Sequence, residues 1–180
     1  MTQARCLILT GSLLFLAACS QNSPTAPSAS AVVGLTDSAT AAKTQSKPFG
    51  GSCDTALTIV PALPDDPQNL LRLHIEYTCQ LQHLGRTQTA VAEQTVTFTG
   101  PTTAISSNTT TYTAANGDQL FASWTGTSVN NGPAVTFSGP EVYTGGTGRF
   151  AGASGSSFIN GTASFITNTG QFTMSGTLSY

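Results

Sequence analysis

The chain has 180 residues, a formal net charge of −2 and only 8% charged residues, far below the quarter usual in soluble domains. From Phe49 onward, three basic residues (Arg72, Arg86, Arg149) stand against seven acidic ones (Asp54, Asp65, Asp66, Glu76, Glu93, Asp118, Glu141), a balance of −4. Such a balance excludes the basic stripe that nucleic acid requires and a polybasic contact with anionic lipid.

Met1-Thr2-Gln3-Ala4-Arg5 carries one cation and is followed by an apolar run, Leu7–Leu16, broken only by Thr10, Gly11 and Ser12. Ten residues are too few to span a bilayer as a helix and fit the hydrophobic region of a secretory signal peptide. The run ends Leu16-Ala17-Ala18-Cys19-Ser20. This resembles the lipobox of bacterial lipoproteins, where cleavage precedes a cysteine that is then acylated; an ordinary signal peptide with an incidental cysteine is the plainer alternative. The resemblance implies a signal peptide over residues 1–18, lipidation at Cys19 by palmitate-like chains, and a stable membrane anchor. Ser20 in place of an aspartate implies outer-membrane rather than inner-membrane sorting. The expected location is therefore the bacterial cell envelope, facing the periplasm or the exterior.

Residues 19–48 are rich in Ser, Ala, Thr and Gln, with Pro24 and Pro27. That composition cannot bury a core and reads as a lipid-anchored linker. Twenty-eight flexible residues, Ser20–Lys47, reach about 30 Å on average. With Cys6 in the signal peptide and Cys19 the lipid site, Cys53 and Cys79 remain, and an oxidising compartment favours a disulfide between them. Closing that loop contributes about 3.5 kcal/mol in the chain-entropy model. Metal ligation is the alternative, but only His74 and His83 could join the cysteines, without paired ligand spacing. No metal or other cofactor is expected.

Residues 49–180 are read as one domain. Leu71, Leu73, Ile75, Tyr77, Cys79 and Leu81 alternate with Arg72, His74, Glu76, Thr78 and Gln80, a strong period-two strand signal. A turn at Gln82–Gly85 leads into Arg86–Thr99, whose Ala90, Ala92, Val96 and Phe98 share one face. Asn116-Gly117 predicts a tight hairpin between Thr109–Thr113 and Gln119–Thr125. Asn130–Pro133 precedes a strand over Ala134–Tyr143, and Asn168-Thr169-Gly170 separates Ser157–Thr167 from Gln171–Tyr180. Thr58–Pro61 is a shorter candidate strand, and Asp65-Asp66-Pro67 a loop that helps to bring Cys53 to Cys79. About eight strands joined by short hairpins predict an up-and-down antiparallel barrel, with an open β-sandwich as the alternative. The glycines of Gly145-Gly146-Thr147-Gly148-Arg149-Phe150-Ala151-Gly152-Ala153-Ser154-Gly155 predict a tight corner, with Gly145, Gly146, Gly148, Gly152 and Gly155 as its structural positions. A nucleotide loop would need a helix directly after it, whereas strand-like sequence follows. Arg149 is expected to hold carbonyls or a carboxylate at this turn.

His83-Leu84-Gly85-Arg86, Ala115-Asn116-Gly117-Asp118, Leu120-Phe121-Ala122, the glycine corner through Ala153, and the closing Gly176-Thr177-Leu178-Ser179-Tyr180 occur in that order. Across roughly residues 69–180 the chain resembles bacterial relatives of the allene oxide cyclase and dirigent β-barrels. The resemblance implies an eight-stranded antiparallel calycin-like barrel with an apolar interior. Allene oxide cyclases form a cyclopentenone from an unsaturated fatty-acid epoxide, and dirigent proteins steer phenoxy-radical coupling. No catalytic residue of either matches by motif, so the catalytic positions are unknown.

Arg72, His74 and Glu76 form either an acid/base row on a pocket wall or a solvated outer face, and Glu93 reads as their cross-strand partner. Trp124, Tyr77, Tyr112, Phe121, Phe137 and Phe158 either line a ligand-sized cavity or fill the barrel solidly. The leading expectation is a lipid-anchored, non-enzymatic barrel that binds a small apolar ligand or an envelope partner, and no nucleic acid. The alternative is a cyclase or isomerase acting on an oxidised fatty acid or similar apolar substrate. It requires a buried acid at the cavity base, for which Glu76, Glu93 and Glu141 are the strand-borne candidates.

Overall fold

In a computed structural model the chain is described at residues 45–85 and 88–180. The expected signal peptide, Cys19, most of the expected linker and Arg86 lie outside the described residues. The rest forms eight strands: β1 (Ser46–Val60), β2 (Leu70–Leu81), β3 (Gln88–Phe98), β4 (Thr103–Thr113), β5 (Gln119–Asn130), β6 (Val135–Gly146), β7 (Ser154–Ser164) and β8 (Thr169–Ser179). Each strand pairs antiparallel with its sequence neighbours, and β1 pairs with β8 to close the barrel. Closure removes the exposed edges that a Thr-rich sheet would otherwise offer to other chains. The barrel expected from the strand count is therefore the fold, and the open sandwich is not.

Alternation accounts for which way each strand faces. On β2, Leu73, Ile75, Tyr77, Cys79 and Leu81 are buried while Glu76, Thr78 and Gln80 are exposed. Cys53 on β1 lies directly opposite Cys79 on β2, and the two form a disulfide in the barrel wall. The strand register brings them together, and Asp65–Pro67 lies in the 61–69 connection that joins these two strands. That loop has its own order, since Asp66 accepts the Leu63 amide and both Arg72 Nε and Nη2.

Several segments differ from the sequence expectation: β4 begins at Thr103, six residues ahead of the expected Thr109, and β5 runs to Asn130, five residues past the expected Thr125. β1 is fifteen residues long and begins at Ser46, three residues ahead of the expected boundary and well before Thr58. Its apolar alternation is interrupted by Gly50 and Gly51, and at both positions a Cβ would collide with backbone of the flanking strands. The glycines that hide this strand are what let it sit between β2 and β8. The last hairpin turns over residues 165–168, ahead of the expected Asn168-Thr169-Gly170. Asn168 itself takes the left-handed conformation (φ 55°), which asparagine tolerates. Gly170 is already in the strand, where a Cβ would lie 2.7 Å from the Thr162 carbonyl oxygen.

The two ends of the barrel differ. At one end Leu84, Ala114 and Phe150, from the β2–β3, β4–β5 and β6–β7 connections, are buried together with Phe49, Leu120 and Leu178. Phe150 meets Tyr180 edge-on at 5.0 Å, and Phe49 meets Tyr143 at 5.2 Å. The glycine corner is the β6–β7 connection, a short 3-10 turn over Gly148–Phe150 that drives Phe150 into this end. Gly146 packs where a Cβ would strike the Gln119 carbonyl and the Phe150 side chain, and Gly155 combines φ 135° with backbone of β8 in the way. Gly145, Gly148 and Gly152 also have positive φ. Arg149 donates from Nη2 to the His83 carbonyl at 2.7 Å, and its amide donates to Asp118 at 3.3 Å. This end is sealed. At the other end the β3–β4, β5–β6 and β7–β8 connections are four residues each, and Pro101, Thr102 and Phe165 stand at the mouth of the interior.

Candidate functional site

Between the sealed end and the mouth lies a cavity of about 100 Å³. A single water needs roughly 10–15 Å³ on the same measure, so the interior is not filled solidly. Its walls are set by parity. Inward positions of β1, β2 and β3 supply Leu57, Leu73, Ile75 and Val96, while β5, β6 and β8 supply Trp124, Phe137 and Phe172. Trp124 is held by its indole N–H, which donates to the Gly139 carbonyl at 3.1 Å. Its ring lies over Gly126, where a Cβ would collide with it. Phe137 contacts both Trp124 and Phe172 edge-on, at 6.0 and 6.4 Å.

Of the aromatic residues expected in the interior, Tyr77, Tyr112, Trp124 and Phe137 line the cavity. Phe121 and Phe158 do not, for each sits one position out of phase with buried neighbours, Leu120 and Ala122 in one case and Ser157 and Ile159 in the other. Phe158 is 48% exposed.

Glu141 is the acid inside. It is 1% exposed and belongs to the inward row of β6, flanked by Gly139 and Tyr143. Tyr112 Oη donates to its Oε1 at 2.8 Å, and Ser157 Oγ donates to its Oε2 at 3.4 Å. Ser157 is the register partner of Glu141 on β7. Tyr77 and Tyr112 reach the site from β2 and β4 across Ala90, their shared partner on β3. That small residue leaves room for both phenols.

Burial raises the Glu141 carboxyl to about 7, against the opposing effect of hydrogen bonds from Tyr112, Tyr143 and Ser157. The phenols of Tyr77, Tyr112 and Tyr143 are pushed well above their ordinary range, first by burial and then by the neighbouring Glu141 charge. They therefore remain neutral donors. No basic side chain among the described residues lines the cavity. Arg72 is taken by Asp66 at 2.6 Å, Arg149 by the sealed end, and Lys47 lies over the Tyr180 ring at 4.4 Å. Nearer the mouth runs a neutral polar chain: Thr110 donates to Asn108, which donates to Gln94 at 3.3 Å.

The other two acids face outward. Glu93 is hydrogen-bonded to His74 Nδ1 at 2.6 Å, and Glu76 lies 3.9 Å from the same ring. Arg72, His74, Glu76 and Glu93 thus form the outer face of the β2–β3 ladder and not a pocket wall. No group of three or more His, Cys, Asp or Glu side chains that could hold a metal occurs among the described residues. Sequence reasoning passed over Tyr143, Ser157 and the Gln94–Asn108–Thr110 chain, all inward polar residues whose only signal is strand parity.

These features define a closed β-barrel with a blind, aromatic-walled cavity and a carboxyl group in its wall near the sealed end. No protein-family model matches the chain, and no curated protein matches it. Among solved structures, the chain is similar to the pterocarpan synthase dirigent protein GePTS1, with a TM-score of 0.48 and 12% sequence identity over 76% of this chain and 93% of that one.

Proposed function

We propose that the barrel binds a small, mostly apolar molecule whose polar group meets Glu141. The observation that carries this reading is a fully buried carboxyl facing an apolar cavity that opens at one end only. Apolar walls with a few convergent polar groups are the usual make-up of a ligand site. We further propose that the protein acts at the bacterial cell envelope, held by acyl chains on Cys19, a reading supported by the Leu16-Ala17-Ala18-Cys19 motif and the linker after it. Native mass spectrometry of the protein extracted from its membrane tests both. A released small molecule together with acyl mass on Cys19 is the expected result. An empty barrel in every preparation speaks against ligand binding, and an unmodified chain that stays soluble speaks against the anchor.

A second reading is acid/base catalysis on the same ligand class, the cyclase or isomerase alternative acting on an oxidised fatty acid or similar substrate. What favours it is a carboxyl close to half-protonated at neutral pH among neutral phenols, the condition under which one group both gives and takes a proton efficiently. Conversion of an unsaturated epoxide by the wild type and not by Glu141→Gln is its test, and equal rates with and without the carboxyl reject it.

A further inference from the structure

The ligand-binding reading leaves the ligand's polar group undefined, and the charge inventory of the cavity narrows it. Glu141 sits in the wall with no cation among the described residues facing it. Ordinarily a buried carboxylate is paired with a cation. Here its hydrogen bonds come from neutral hydroxyls, Tyr112, Ser157 and Tyr143. A carboxylate has about four acceptor positions, so those three donors still leave one toward the cavity. The walls around it are aromatic: Tyr77, Tyr112, Trp124, Phe137 and Phe172. Aromatic faces attract cations through their quadrupole, most strongly when water is excluded.

Resting on the ligand-binding reading above, we propose that the cavity takes a small apolar amine, bound as the ammonium ion. Its N–H donates to Glu141, and its hydrocarbon part fills the space between Trp124, Phe137 and Leu73. The ligand supplies a positive charge that none of the described side chains brings to the cavity. By the same logic the site rejects a carboxylate directed to its base, because that would bring two uncompensated negative charges together. A neutral alcohol fits sterically and donates one hydrogen bond, but it leaves the Glu141 charge uncompensated.

Binding is therefore tied to the protonation of Glu141. The titratable groups that face it are the phenols of Tyr77 on β2, Tyr112 on β4 and Tyr143 on β6, while Ser157 on β7 does not titrate. The phenols stay neutral through the physiological range, and an alkyl amine, like the lysine side chain, stays protonated to beyond pH 9. Only the carboxyl changes. With its midpoint at about 7, its ionised fraction rises from roughly 1% at pH 5 to about 90% at pH 8, so amine affinity rises by about two orders of magnitude across that interval.

The test is isothermal titration calorimetry on the full chain with three probes of one skeleton: phenethylamine, phenethyl alcohol and 3-phenylpropionate. At pH 8 the amine is expected to bind at least ten times more tightly than the alcohol, and the acid not measurably. Amine binding should weaken about 100-fold at pH 5 while alcohol binding is nearly unchanged. Glu141→Gln should lose the preference for the amine, whose buried charge it would leave unpaired, while its retained alcohol binding shows that the variant is folded. If the wild type binds the alcohol or the acid as tightly as the amine, or if amine binding does not change with pH, the amine assignment fails and the ligand-binding reading stands. If none of the three probes binds at either pH, the cavity is not a ligand site of this size and both readings fail.

Discussion

Replacing Glu141 with Gln removes an ionisable group from the least exposed part of the site, and the effect on stability should depend on pH. Below about pH 4.5, the ordinary carboxyl value, the group is protonated in folded and unfolded chains alike. As pH rises from there, the unfolded chain releases the proton while the folded chain keeps it until about pH 7. Folding is thus progressively disfavoured through that window, and the loss is complete above it. A rise from 4.5 to about 7 corresponds to roughly 3 kcal/mol at most, the larger part of it falling between pH 5 and pH 8. Gln keeps the shape and one acceptor but loses about 1 kcal/mol of hydrogen bonding to Tyr112 or Ser157. The variant should therefore be about 1 kcal/mol less stable than the wild type near pH 4.5 and about 2 kcal/mol more stable at pH 8. Urea unfolding of both proteins at the two pH values reads this directly. A wild-type-minus-variant difference that stays constant from pH 4.5 to pH 8 would refute the burial of an ionisable group at this position.

Other features make separate predictions. Changing both Cys53 and Cys79 to Ala should lower unfolding free energy by about 2–4 kcal/mol, since the bridge closes a loop with a sequence separation of 26; an unchanged urea midpoint contradicts this. Gly155→Ala places a Cβ against the Thr177 carbonyl at φ 135° and should cost more than about 1 kcal/mol, measured as a drop in Tm relative to Gly117→Ala, where a Cβ meets nothing although φ is also positive. Trp124→Ala empties a wall of the cavity and should cost about 3–5 kcal/mol. It should also admit larger ligands, so unchanged stability would mean that the indole is not packed as described. Cys19→Ser should move the protein from the membrane fraction to the soluble one, and persistent membrane association would remove the acyl chains as the anchor.

Strand parity made most of the barrel legible before its structure was known. The alternation over Leu71–Leu81 places five buried residues on one face, and the Asn116-Gly117 turn joins β4 to β5 where expected. What was not legible followed from residues with no hydrophobic signal. β1 runs through Gly50 and Gly51, where the flanking backbones leave no room for a Cβ, so the strand closing the barrel looked like a four-residue fragment. The site was half legible for a related reason. Tyr77, Tyr112, Trp124 and Phe137 stood out by type, and Glu141 as one of three strand-borne acids. Which of the three faces inward is a matter of parity on β6, where Val142 is 49% exposed and Glu141 is buried. Hydrophobicity alone would assign those two neighbours the other way round. The reversal marks the site, because local rules give way where function requires it.

The most direct test of a ligand cavity built on Glu141 is the carboxyl resonance of that residue. Protein labelled with ¹³C at glutamate side-chain carboxyls would be titrated by NMR, with the Glu141 signal assigned by its absence in Glu141→Gln. The midpoint is expected near 7 in the free protein and at lower pH once phenethylamine is added, while Glu76 and Glu93 on the outer face do not respond to the probe. A Glu141 signal that titrates near 4.5 and ignores the probe would contradict it, placing the carboxyl in water and leaving the cavity without its polar anchor.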